Sequence, residues 1–153
     1  MKLAIRMGMV LLMVGQVLGG LIIATGVEPA ITGNDAAVFG PHGVVLGDGG
    51  ILKYPHGIAM HAIQVLPVLA LFGLFTRWHT GRQLLVVGAA SVGYVLIVSI
   101  STVQTYTGRG GLTLSWFEIA VVLLGILLLV GAGLATLIST NWTKLRKWLV
   151  VKS

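Results

Sequence analysis

The side chains able to do chemistry are few and gathered. The stretch YPHGIAMHAIQVLP, residues 54–67, holds His56, His61, Gln64 and Pro67. On a helix His61 and Gln64, three apart, share a face, while His56, Met60 and Gln64 form a stripe. Pro67 cannot donate to the Ile63 carbonyl, so a bend and a free acceptor are expected there, making a concave polar notch. Downstream, SISTVQTYTGRGG brings Gln104, Tyr106 and Arg109. LTLSWFEIA then brings Glu118, the one acidic residue within an apolar block and placed about two turns into it. Imidazole and amide groups can hydrogen-bond a quinone carbonyl, and a carboxyl can exchange protons. A plainer reading of Arg109 and Glu118 is a structural clamp between two neighbouring spans.

Histidine also ligates metals. His42, His56 and His61 make a candidate set, with Glu118 or Met60 completing a shell. Five residues turn a helix by about 140° beyond a full turn, so His56 and His61 can share an ion only if the helix starts after His56. Haem needs axial ligands, and His61 would have to pair with a loop histidine, a Met or a Gln. His79 reads as an interfacial residue. There is no H-E-x-x-H, no G-x-S-x-G and no phosphate loop, so no reaction is assigned. The absence of cysteine excludes disulfides, thiolate metal sites and iron–sulfur clusters.

These groups sit in a chain built for lipid. Of 153 residues, 56% are hydrophobic and 9% charged, with mean hydropathy +0.99, whereas a soluble domain carries roughly 25% charged residues. A bilayer-crossing helix takes about 20 apolar residues, and four blocks qualify: about 7–25, 58–75, 84–103 and 112–138. The first is longer than a signal-peptide core and lacks a small-x-small cleavage site, so it is kept as a span. Short connectors after the second and third blocks predict antiparallel neighbours. The expected fold is an all-α membrane protein, one domain over 1–153, with four transmembrane helices in an up-down antiparallel bundle.

Eight of the ten basic residues fall on one side: Lys2, Arg6, Arg77, Arg82, Lys144, Arg146, Lys147 and Lys152. Lys53 and Arg109 fall on the other, with Glu28, Asp35 and Asp48. Both termini are therefore expected in the cytoplasm of a bacterial cell, in its plasma (inner) membrane. Trp78, Trp142 and Trp148 would mark the inner interface, and Tyr54, Tyr106 and Trp116 the outer one. The net charge of +6 is spent on orientation, so nucleic acid is not an expected partner.

The loop 26–57 is long and Gly-rich, and is expected to fold over the outer mouth with a short helix or strand in GVVLG. The tail 140–153 spaces Trp142, Leu145, Trp148 and Leu149 as an amphipathic helix lying on the inner leaflet would. Gly15 and Gly19 form a GxxxG, with Gly8 and Gly26 on the same flank of the first span. Ala89 with Gly93, and Gly131 with Ala135, repeat the small-x-x-x-small spacing that brings membrane helices close.

The arrangement H-x4-H-x2-Q-x2-P in PHGIAMHAIQVLP resembles a pattern in bacterial multi-span integral membrane proteins of no established activity. In these a Gly-rich outer loop runs into His-Phe-x-Gly-Leu-His-Ala-Leu-Gln-x-Leu-Pro, and a later Gln-Ala-x-x-Gly-Gln/Arg turn is similar to QTYTGRG here, residues 104–110. The likeness covers about 30 residues. This chain lacks the Phe after the first His and has GILKYP where an acidic–Leu–Arg run is usual. The resemblance implies that His56, His61, Gln64, Pro67 and Gln104 belong together, and it implies no activity.

Two functions follow. One is an outer-side site of His56, His61, Gln64, Gln104, Arg109 and Glu118 holding a metal, haem or quinone headgroup. The other is a non-catalytic accessory or assembly subunit of a larger membrane complex, docking through its glycine flank. The expected partners are the lipid bilayer, further copies of the chain, or that complex.

Overall fold

The computed structural model describes residues 1–33, 43–110 and 113–141, with the side chain of Pro29 left out. His42 and the tail beyond Asn141, Trp142 and Trp148 included, lie outside the described residues. In chain order the elements are α1 (Lys2–Ile31), a β-hairpin of β1 (Val45–Leu46) and β2 (Gly50–Ile51), α2 (Lys53–Gly73), α3 (Thr80–Tyr106) and α4 (Trp116–Ser139). Each helix contains a stretch long and apolar enough to cross a membrane.

α1 and α3 overrun at both ends the apolar blocks that announce them, and α2 does so at its start. Backbone hydrogen bonding continues past the hydrocarbon until a cap stops it, so α1, at 30 residues, is about 45 Å long. α4 departs the other way. It begins at Trp116 because Ser115 caps it: the Ser115 hydroxyl accepts from the Glu118 amide at 3.3 Å, and the Glu118 carboxylate accepts from the Ser115 amide at 2.8 Å. This reciprocal box fixes the start of the helix. Glu118 is therefore in the first turn of α4, not two turns inside it.

The interior is rich in small residues beside a few large ones such as Leu11 and Leu66, and many large apolar residues point out. Ala4, Ala59, Ala62 and Ala90 are fully buried, whereas Met13, Val17, Ile23, Leu85, Leu127 and Ile138 are each more than 60% exposed. Lipid gives helices no hydrophobic reason to bury bulk against one another, so close backbone packing provides the cohesion instead. The principal packings are α1 on α2 and α3 on α4, with α2 against α3 joining the two pairs.

The glycine flank of α1 is used inside the chain. A side chain at Gly8 would meet Ile63, one at Gly15 would meet Met60, and one at Gly19 would meet His56. Partner numbers fall along α2 as those on α1 rise. Between α3 and α4 the close approach is Gly93 to Gly125, where each glycine leaves room for the other's carbonyl oxygen. The expected Gly131 is not in this contact, since nothing lies within 4 Å of where its Cβ would be.

The hairpin seats on the end of α3. β1 and β2 pair antiparallel, Val45 with Ile51 and Leu46 with Gly50. The Gly49 amide donates to the Gly108 carbonyl at 2.9 Å, and the Thr105 hydroxyl donates to the Ile51 carbonyl at 3.3 Å. Gly47 and Gly108, with φ of 56° and 69°, pass each other almost in contact. That left-handed backbone is the region glycine enters without steric cost. At the far end of the bundle the Asn141 amide donates to the Phe75 carbonyl at 2.9 Å, tying the exit of α4 to the α2–α3 turn. There His79 caps α3, its ring nitrogen accepting from the Arg82 amide.

Candidate functional site

The residues singled out in the sequence divide into three places. His56 lies in the seam between α1 and α2. Its Nδ1 is 2.7 Å from the Gly15 carbonyl oxygen, which can only accept, so Nδ1 carries the proton. The ring fits over Gly15 and Gly19: a Cβ at Gly19 would come within 2.8 Å of the imidazole Cε1. The GxxxG of α1 and the first histidine of α2 are thus one feature, a ring seated in a glycine notch. His56→Ala should cost about 1 kcal/mol, the size of an interhelical hydrogen bond in a membrane. Gly19→Ala should be destabilising in the natural chain and near neutral in the His56→Ala background. A double-mutant cycle read by SDS titration of helicity checks that coupling.

His61 and Gln64 lie elsewhere. Both are exposed on the outside of α2, where the imidazole Nδ1 and the amide Oε1 are 3.1 Å apart. A polar side chain at membrane depth is expected to turn into the bundle, and Gln64 does not. The i,i+3 spacing lets the pair bond to each other, and the inward positions on this helix are taken by Ala59, Ala62 and Leu66. Gln64 opens instead onto a groove of about 360 Å³ between α2 and α4, lined otherwise by Val65, Val68, Phe72, Gly133 and their neighbours.

The third place is a cavity of about 410 Å³ beneath the hairpin. Its walls are Gly49 and Ile51 from the hairpin, Tyr54 and Ile58 from the first turns of α2, Ser101, Gln104 and Thr105 from α3, and Arg109. Gln104 is 8% exposed, and its amide nitrogen has no hydrogen-bond partner. Nearly all buried polar groups are paired, so an orphan amide donor on a residue that lines a cavity is unusual.

Arg109 reaches this wall by a tight reversal. Gly108 turns the chain after α3, and the Arg109 amide returns to the Gln104 carbonyl at 3.1 Å. Both terminal nitrogens of its guanidinium meet the Glu118 carboxylate as a fork, and Nε donates to the Thr107 hydroxyl at 3.0 Å. Glu118 accepts further from the Ser115 hydroxyl at 2.9 Å. That hydrogen bond from the guanidinium to Glu118 raises Arg109 above its already high ordinary value. Its charge is thus present across the whole working pH range, and it is matched by the carboxylate. The cavity therefore has a charged-looking rim that is electrically closed.

His56 and His61 face different ways. α2 starts at Lys53, upstream of both, so one continuous helix carries them and turns them apart. Among the described residues no three His, Cys, Asp or Glu side chains come together as a metal set, and His42 lies outside those residues. What the sequence reading missed was the capping box and the cavity wall. The Ser115-x-x-Glu118 spacing was the available signal for the first. Tyr54, Ser101 and Thr105 had none, because only the seating of the hairpin makes them neighbours.

Apart from the one small hairpin the described fold is helical, and its four apolar helices suit a multi-pass membrane protein in contact with a lipid bilayer. No family model, curated protein or solved structure matches the chain.

Proposed function

We propose that this chain is a bacterial inner-membrane protein that holds a neutral headgroup of the quinone type in the cavity under the hairpin. On this reading the helices run up and down with both termini in the cytoplasm, as the basic flanks favour, and the cavity opens to the extracytoplasmic side. The observation that carries it is a cavity of about 410 Å³ lined in part by Gln104, a residue whose buried amide nitrogen has no hydrogen-bond partner among the described residues. That volume falls within the roughly 300–1,000 Å³ of small-molecule sites.

The chemistry of the wall selects the ligand class. Gln104 offers a hydrogen-bond donor, and Ser101, Thr105 and Tyr54 add hydroxyls beside Ile51 and Ile58. An acceptor oxygen on an apolar ring satisfies both sets. An anion is disfavoured, because the Arg109 charge is already taken by Glu118. A metal fits poorly, since among the described residues the wall holds no imidazole, and for haem no two described imidazoles come to one place. Within the site Gln104 binds, and Arg109 with Glu118 positions the α3–α4 turn that forms one wall.

The test is titration of the whole chain in lipid nanodiscs with a short-chain ubiquinone analogue, followed by calorimetry. A diacylglycerol arm distinguishes a quinone carbonyl from lipid ester carbonyls, and an anionic phospholipid arm tests the charge argument. Saturable binding of one quinone per chain is expected. Binding by none of the arms, together with native-source protein that is ligand-free and copurifies with larger partners, would establish the accessory-subunit reading in its place.

A further inference from the structure

The His61–Gln64 pair stands on an apolar helix, and among the described residues nothing covers it. At 1.5 Å per residue the two lie about 12 and 16 Å from the start of α2, near the middle of a helix about 31 Å long. Both are exposed, and so are Val65 and Val68 on the same stripe. One turn before them is Gly57, with nothing within 4 Å of where its Cβ would be. Polar side chains at that depth normally face protein rather than acyl chains.

The hydrogen-bond inventory of the pair says what faces it. His61 Nδ1 and Gln64 Oε1 bond to each other, so the imidazole keeps an acceptor at Nε2 and the amide keeps its NH2 donors. A free donor and a free acceptor side by side are complementary to their own two-fold image. In a parallel pair of α2 helices each Gln64 amide donates to the other copy's His61 Nε2. Turning the amide end for end exchanges donor and acceptor and leaves the match intact. Because the pair is already bonded, its polar ends lie at one depth, which a symmetry axis along the membrane normal requires. Gly57 allows close approach at one end of the stripe, and the valines fill it toward the other.

From this we infer that the exposed face of α2, Gly57, His61, Gln64, Val65 and Val68, is a self-association surface whose occupant is the same face of a second copy. It is independent of the cavity under the hairpin, and neither needs the other.

The chain has no cysteine, so single-cysteine crosslinking is clean. Val68→Cys in native membranes, oxidised with copper-phenanthroline, should give a disulfide-linked species of twice the chain mass. Leu127→Cys on α4 should give none. Adding His61→Leu and Gln64→Leu to Val68→Cys should weaken association about five- to tenfold, from two interhelical hydrogen bonds. Gln16→Leu, removing an amide exposed on α1, should leave it unchanged. Both effects are read as donor–acceptor energy transfer between labelled copies diluted with lipid. Equal crosslinking at Val68→Cys and Leu127→Cys would overturn the proposal, as would a Val68→Cys product of another mass or energy transfer indifferent to the double leucine change. The valine substitution is conservative and on the surface, so folding does not decide the outcome.

Discussion

Gln104→Leu is expected to lower affinity for the quinone analogue about tenfold to a hundredfold while leaving the fold as stable as before, or more so. The two effects run in opposite directions for one reason. The natural amide carries a donor that the folded chain leaves unpaired, and an unpaired buried polar group costs about 1–3 kcal/mol. Leucine has nearly the same volume and no such cost, so stability should hold or rise. A bound carbonyl that had satisfied that donor now meets a methyl group and loses the corresponding energy, at 1.4 kcal/mol for each tenfold in affinity. Calorimetry measures the first effect and SDS-titrated helicity the second. A substitution that lowered stability and left affinity alone would mark Gln104 as a packing residue and remove the ligand from the cavity.

Gly93→Leu should be the most damaging single change outside the cavity, at about 3 kcal/mol. A Cβ there would be 2.5 Å from the Gly125 carbonyl oxygen and 3.1 Å from the Leu129 amide nitrogen. Both blocking atoms are backbone, so no rotamer change relieves the overlap, and α3 and α4 must separate. Overpacking costs usually lie between about 1 and 3 kcal/mol, and an obstacle that cannot move belongs at the upper end. Separation would also draw Glu118 away from Arg109 and open one wall of the cavity, so ligand affinity should fall with stability. Gly131→Leu is the matched control. It has the same residue change and a similar depth in α4, with open space around it, and should stay within about 0.5 kcal/mol of the natural chain. SDS-titrated helicity of the two variants side by side decides the point.

The contrast between those glycines shows where sequence pattern stops being informative. Spacing marked Gly93 and Gly131 alike, because small-x-x-x-small is a property of one helix. The partner glycine turned out to be Gly125, which no such pair flags. His56 gives the converse case. The sequence held both halves of its seat, a GxxxG in α1 and an imidazole at the head of α2, about forty residues apart, and no local rule connects them. A one-dimensional pattern reports what a helix can offer, and the crossing geometry decides which offer is accepted.

The site follows the same division. Glu118 was expected to partner Arg109 or a protonated histidine, and it pairs with Arg109, because two charges near the ends of neighbouring helices have few other ways to leave lipid. The depth of Glu118 was misjudged since hydropathy runs on through LTLS, whereas the serine cap sets where the helix begins. For Gln64, beside His61, the general cost of polarity in lipid argues for an inward side chain. The chain meets that cost by pairing them with each other on its surface, an option their i,i+3 spacing always contained.

What the residues alone determined was the medium and the elements. Four apolar blocks of bilayer length, almost no charge inside them and basic flanks leave a helical membrane protein as the one arrangement that satisfies every backbone group in hydrocarbon. What only the tertiary structure decided was company. The hairpin had to seat on α3 before Gln104, Thr105 and Tyr54 enclosed a space, and α1 had to pack on α2 before Gly15 and Gly19 could seat His56. Backbone hydrogen bonding is local and so is written in the order of residues. Proximity between helices depends on which faces meet, and that is fixed by the packing of all of them at once.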